Sequence, residues 1–401
     1  MVSLCIELYL FLGCGLDKIS TLLEILNNRL QLGLEEIPCA NSIGNWVKKG
    51  GLDSYTRTAE GIDKNYAVIV DESMMLGSEK MVLSLCTQAE KTNDNALCGR
   101  DVKVLDISVS DRWNSTKIKD IFTDIEEKTE AKPVYVVSDN DTKLKKSIRE
   151  MGYCHIPDVG HTLALAVENV YKTEPDFIAF STELSAVKVK EVMRPASYLL
   201  PPRQRTIARF MNLSASIKWG IRLLKNYSKL TEEEQKVFSF VKTYRQLINE
   251  LYNVFTQVNT VLERVKNNGI SVKEAEECIK TMNANPCQSV REQKVMESIK
   301  TYLMETSAKI VTQDSVWQAS SDIIESIFGT YKARKSKNPL HGITTYVLLL
   351  PMLTKMDENN KLTDFNCKQA LEGVLLRDLT NWRDKHLTEN LAIKRHIKLA
   401  G

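Results

Sequence analysis

The 401-residue chain lacks paired cysteines: none of its nine cysteines forms a C-x-x-C spacing. That argues against a zinc ribbon, a zinc finger at the N-terminus or a disulfide frame, and the thiols are expected to be reduced and mostly buried, as in an intracellular protein. Long apolar runs are missing too. No segment reaches the roughly 18 uninterrupted apolar residues of a membrane span, so no membrane partner is expected. The apolar start, residues 1–14, contains Glu7 and no basic leader, and it reads as a core helix rather than a signal peptide. Excess charge is lacking as well. A formal net charge of +3 means that any polyanion surface must come from local clustering. There is no Walker loop, no G-x-S-x-G and no G-x-G-x-x-G between strand and helix, so nucleotide hydrolysis and serine hydrolysis have no support.

What is present begins with two short apolar runs. Tyr66-Ala67-Val68-Ile69-Val70 closes on Asp71, and Val134-Tyr135-Val136-Val137-Ser138 closes on Asp139. Such β-branched runs read as central strands of a covered sheet, buried on both faces. A carboxylate at the end of such a strand is costly to desolvate unless something pairs with it. Two of them at matching ends of strands that can lie side by side point to a divalent-cation site, because hard cations take oxygen ligands.

The chain divides by periodicity. Residues 1–58 read as a helical module, with an apolar stripe at Ile19, Leu22, Leu23, Ile25 and Leu26 and a shorter helix over 40–49 that Gly50-Gly51 should stop. Ser42, Asn45, Lys48 and Lys49 are expected to point outward, which fits a helix-turn-helix DNA reader as well as a plain helical packing unit. From residue 62 to 172 the pattern is βββαβαβα: strands over 66–71, 80–88 and 102–110, a helix over 115–130, the strand ending at Asp139, a basic helix over 142–151, a short strand near 154–156 and a helix over 161–171. A right-handed crossover would lay the fourth strand parallel to the first. Residues 173–316 read as an all-α segment, 317–355 as a return to the core, and 356–401 as an amphipathic helical tail.

A helix over 321–331 supplies a third acid. Ile323, Ile324, Ile327, Phe328 and Tyr331 form its apolar stripe, and Glu325 lies at the edge of that stripe. Lys332 follows two turns later, about 10.5 Å along the axis. Three acids on two strands and one helix can hold two Mg²⁺ or Mn²⁺ ions about 3.5–4 Å apart, activating a water or 3′-hydroxyl for in-line attack at phosphorus. Each acid has a rival: Glu72 beside Asp71, Asp141 beside Asp139, and Asp322 or Asp314 near Glu325. Alternation along the strand turns Glu72 to the opposite face from Asp71.

These residues resemble the RNase H-like DDE transposases. The likeness lies in the strand order, in an Asp on the first strand, an Asp after the fourth and a Glu on a late helix. Asp158-Val159-Gly160-His161 is similar to the [C/D]-x-x-H signature of many such families, the helical stretch before Glu325 is similar to the all-α insertion of hAT-type enzymes, and Glu325 with Lys332 fits an E-x₆-K spacing. The Tyr and Arg that precede the Glu in one insertion-sequence group fall here on Gln318 and Ser321.

The resemblance covers roughly residues 40–355. It implies an RNase H-like mixed five-stranded sheet with a large all-α insertion, a metal-binding catalytic triad of Asp71, Asp139 and Glu325, and supporting roles for Asp158 and His161. It also implies double-stranded DNA, both element ends and target, as partner, a homodimer or larger assembly on DNA, and a cytoplasmic, nucleoid-associated location. Lys332, Arg334, Lys335 and Lys337 would lie near the phosphates. Arg203 and Arg205 stand in a second basic stretch with Lys188, Lys190, Arg194 and Arg209, interleaved with Tyr198 and Phe210. Either run is also compatible with an ordinary solvated surface. Two other readings of the whole remain: a DNA-binding regulator that no longer cuts, and a structure-selective nuclease on the same fold.

Overall fold

A computed structural model of the chain describes every residue except 77–78, 203–212, 311, 313, 335–341, 357–360, 390 and 401, and only the backbone of 73–76. It is a mixed α/β protein, mostly helical, with one five-stranded mixed sheet. Two compact units are formed, one from Met1–Glu90, Ala96–Ile156 and Ser320–Gly401, the other from Lys91–Asn95 and Pro157–Ala319.

The first unit opens with helices α1 (Val2–Leu10), α2 (Leu16–Leu30) and α3 (Ala40–Thr56), followed by strands β1 (Tyr66–Leu76), β2 (Glu79–Gln88) and β3 (Lys103–Ser110), helix α4 (Ser115–Thr129), β4 (Val136–Ser138), α5 (Thr142–Glu150) and β5 (His155–Pro157). The sheet order is β3-β2-β1-β4-β5. β1 runs antiparallel to β2 and parallel to β4, with Val68 opposite Val136, Ile69 opposite Val137 and Val70 opposite Ser138. The expected crossover through α4 is therefore present, with the fourth strand parallel to the first.

Alternation then decides which side chain meets which layer. Val68 and Val70 of β1, Val82 and Cys86 of β2, Leu105 and Val136 pack against Ile118, Ile121, Phe122 and Ile125 of α4 and Leu144 and Ile148 of α5. Each such side chain, fully buried, stabilises by about 1.5–3 kcal/mol. Asn114 and Asp141 cap α4 and α5 by accepting from the first free backbone N–H groups, each contributing about 1 kcal/mol.

The second unit is helical: α6 (Val159–Tyr171), α7 (Pro175–Glu191), α8 (Leu213–Lys225), α9 (Glu232–Val237), α10 (Phe240–Thr243), α11 (Arg245–Asn268), α12 (Val272–Asn283) and α13 (Val290–Ser307). Apolar residues expected to recur along 237–255 form its core, among them Phe240, Val241, Leu247, Leu251, Val254 and Phe255. Arg291 on α13 ties the bundle together, donating to both carboxylate oxygens of Glu250 at 2.9 and 2.8 Å and to Asp176 at 2.9 Å. The unit begins at Pro157 rather than at 173, because α6 packs on α11 and α13.

The chain re-enters the first unit with α14 (Asp322–Arg334), α15 (Leu349–Leu353), α16 (Cys367–Gly373), α17 (Leu376–His386) and α18 (Leu391–Ala400). α14 packs against β1 and α15.

Three details depart from expectation. α3 does not stop at Gly50-Gly51 but continues to Thr56. The glycines serve close packing instead: a Cβ on Gly51 would stand 1.9 Å from the Leu348 carbonyl oxygen, and one on Gly50 would meet the Phe365 ring at 2.9 Å. β1 does not end at Asp71 but continues to Leu76, paired with β2 alone beyond Val70. The nine thiols are unpaired, yet only Cys5, Cys86 and Cys278 are fully buried. Among the described residues no helix is long and apolar enough to cross a membrane.

Candidate functional site

The β1–β4 ladder ends at Val70 and Ser138. Asp71 and Asp139 are the next residues in the chain after this last pair, so the parallel register brings both out at the same end of the ladder. Val68 and Val70 face α4 and α5, so alternation turns Ile69 and Asp71 to the other face of the sheet. α14 packs on β1 and contributes nothing to the α4/α5 cluster. It therefore covers the face toward which Asp71 projects.

Each aspartate is oriented by a backbone N–H close in sequence. Asp71 Oδ1 accepts from Glu72 N at 2.8 Å, and Asp139 Oδ1 accepts from Asp141 N at 2.9 Å. The second contact is an Asx turn, which lets the chain leave β4 and enter α5 within three residues. Asp141, the rival to Asp139, is occupied as the cap of α5, accepting from Lys143 N at 2.7 Å and Leu144 N at 3.3 Å. Ser138, the fully buried last residue of β4, shares a 2.9 Å hydrogen bond with His155 Nε2 on β5.

Glu325 occupies the first turn of α14, half-buried, on a helix whose Ile324, Ile327 and Phe328 are buried. Its place at the edge of the apolar stripe matches expectation. Asp322 is half-buried as well. Lys332 is exposed, its ammonium 5.6 Å from the centre of the Phe328 ring. Arg334 has a different occupation. Its guanidinium donates to the carbonyls of Tyr9 and Leu10, the last residues of α1, and burial lowers its pKa.

The other expected residues are distributed as follows. Asp158 caps α6 in the second unit, its buried carboxylate accepting from His161 N at 2.7 Å and paired with His161 Nδ1 at 2.9 Å. On α3, Ser42, Asn45, Lys48 and Lys49 are half-buried rather than fully outward. Lys49 donates to the Leu371 carbonyl at 3.0 Å, and Lys48 lies 5.3 Å from the centre of the Tyr346 ring, with its pKa lowered by burial. α3 is in fact a hub, packed by α1, α2, α15, α16 and α17. Arg203, Arg205 and Lys335 lie outside the described residues.

One group was not foreseen. Glu72 bridges two lysines, Lys80 at 2.7 Å on Oε1 and Lys143 at 2.8 Å on Oε2. Burial works against its charge, but the two ammonium groups hold it below the usual carboxylate range. The sequence carries a signal for this. Lys143 sits in the first turn of α5, the end where the helix dipole disfavours a cation, and such a lysine needs an acid.

The oxygen donors of Asp71, Asp139 and Glu325 suit a hard divalent cation such as Mg²⁺ or Mn²⁺. Among the described residues no three acids, histidines or cysteines form a ready-made metal cluster. What the geometry supplies is a pair of adjacent strand positions and a helix on the same face. No family model matches the chain, and no curated protein does.

Proposed function

We propose that the chain is a DNA transposase built on an RNase H-like core, with Asp71, Asp139 and Glu325 holding two Mg²⁺ or Mn²⁺ ions. The observation that carries this reading is the parallel register that ends at Val70 and Ser138 and leaves two aspartates adjacent. The sheet order β3-β2-β1-β4-β5 and the α14 helix on the Asp71 face support it, as does the long helical stretch between β5 and α14.

In this reading the three carboxylates would hold the cations, whose positive charge would offset the like-charge repulsion among them. Bound there, the pair of ions would supply an activated water or 3′-hydroxyl and stabilise the departing oxygen. Asp71 and Asp139 are held in orientation by the Glu72 and Asp141 amides. Lys332, exposed on the same helix as Glu325, offers an ammonium to a nearby phosphate. The unit from Pro157 to Ala319 and the N-terminal helices would carry further DNA and subunit contacts, because joining two ends requires two active sites.

The test is a supercoiled plasmid carrying the element ends, incubated with the full chain and Mn²⁺. Nicking followed by joining of the cut end to a target supports the transposase. Release of short fragments without joining favours a nuclease, and DNA binding without nicking favours a silent regulator.

A further inference from the structure

The carboxylate of Glu72 stands on the face of the sheet opposite Asp71, so it is no ligand for a shared cation. Its contacts nevertheless join the two aspartates. Lys143, which it binds at 2.8 Å, also approaches Asp141 Oδ2 at 3.7 Å. Asp141 in turn donates its N–H to Asp139 Oδ1, while the N–H of Glu72 itself goes to Asp71 Oδ1. An unbroken path of polar contacts therefore runs from Asp71 through Glu72, Lys143 and Asp141 to Asp139. It lies beyond Val70–Ser138, where backbone pairing between β1 and β4 has stopped. Lys80, across the hairpin on β2, holds the other oxygen of Glu72 at 2.7 Å and fixes the carboxylate from its second side. With its side chain only 15% exposed, Glu72 is shielded enough for the bridge to outlast the screening that erases solvated pairs.

We propose that Glu72 and Lys143 are positioning residues for the cation site: their ion pair replaces the missing backbone ladder and sets the spacing of Asp71 and Asp139. This rests on the reading of those two aspartates as metal ligands. Groups one step outside the ligands typically cost about 10–100-fold in metal affinity when removed.

The experiment measures Mn²⁺ binding by calorimetry, Mn²⁺-dependent nicking and thermal unfolding for the full-length wild type, Glu72→Gln, Lys143→Met and Lys143→Arg. The expected result is at least a tenfold weakening of Mn²⁺ affinity, with the same shift in the Mn²⁺ needed for half-maximal nicking, in Glu72→Gln and Lys143→Met. Lys143→Arg, which keeps the charge, should stay near wild type, and DNA binding should be unchanged throughout. Wild-type response with identical Mn²⁺ dependence in both variants overturns the clamp while leaving the functional reading intact. Failure of the wild type itself to bind Mn²⁺ overturns the functional reading, and the clamp with it. Collapse of the folded state in both variants would assign the pair to stability alone and reject a positioning role.

Discussion

Asp71 on β1 and Asp139, just after β4, each lie one residue past the last paired residues of the two strands, Val70 and Ser138. On β1 this is mid-strand, since pairing with β2 continues with Asp71 opposite Leu83. The acid pair thus sits where a short strand leaves a long one, and the gap so opened is bounded by an Asx turn on one side and a continuing hairpin on the other.

Replacing Asp71 or Asp139 with Asn keeps shape and most hydrogen bonding while removing the charge that the proposed function assigns to a cation. Metal-dependent cutting should fall by at least about 10²-fold, the scale of losing about 3 kcal/mol of transition-state stabilisation. DNA affinity measured by gel shift should stay within a few-fold of wild type. Glu325→Gln should behave likewise, whereas Asp322→Asn should retain most activity.

Lys332 and Arg334 are two residues apart on α14 but should respond differently. Lys332→Ala should reduce the slope of log affinity against log salt by about one, as loss of one phosphate contact does. Arg334→Ala should leave that slope unchanged. It should instead destabilise the fold by about 1–3 kcal/mol, because the Tyr9 and Leu10 carbonyls lose their donor. Salt-dependent binding curves together with thermal melts separate the two effects.

Much of this architecture is legible in the sequence. The apolar runs at 66–70 and 134–138 carry the two central strands, and the spacing of Ile118, Ile121, Phe122 and Ile125 carries α4, because both are set by local periodicity. The course of α3 through Gly50-Gly51 is not legible, since local propensity says stop and only contact with the Leu348 backbone says continue. The extension of β1 to Leu76 is hidden for a similar reason: past Asp71 the strand is held by β2 alone and needs no apolar pattern on both faces. Arg334 reads as a phosphate ligand in a basic run, yet the carbonyls it binds belong to α1, more than 300 residues away in the chain.

Gly51 gives a direct test of that close approach. Gly51→Ala adds a methyl group 1.9 Å from the Leu348 oxygen, so α3 and the segment that follows α14 must separate. A loss of about 1–3 kcal/mol or more is expected in denaturant unfolding. Gly329, with open space around it, should accept Ala without loss.

Asp106 gives a pH dependence. Buried on β3, with Oδ2 lacking a hydrogen-bond partner among the described residues, it has its pKa pushed up by desolvation from 3.8 to about 6. A carboxyl raised on folding binds more protons in the native state, so its contribution is favourable at low pH and is lost as pH climbs from about 4 past 6. Asp106→Asn removes that loss. At pH 8 the variant should be more stable than wild type by about 1–3 kcal/mol, and the difference should vanish near pH 4. A variant less stable at pH 8 would show that the charge is compensated by Lys128.

The decisive measurement is a crystal of the full-length chain soaked in Mn²⁺ and read for anomalous scattering. Two peaks about 4 Å apart, bounded by the carboxylates of Asp71, Asp139 and Glu325, are predicted. Peaks elsewhere, or none within reach of Asp71 and Asp139 at saturating Mn²⁺, would contradict a two-cation site on these strands.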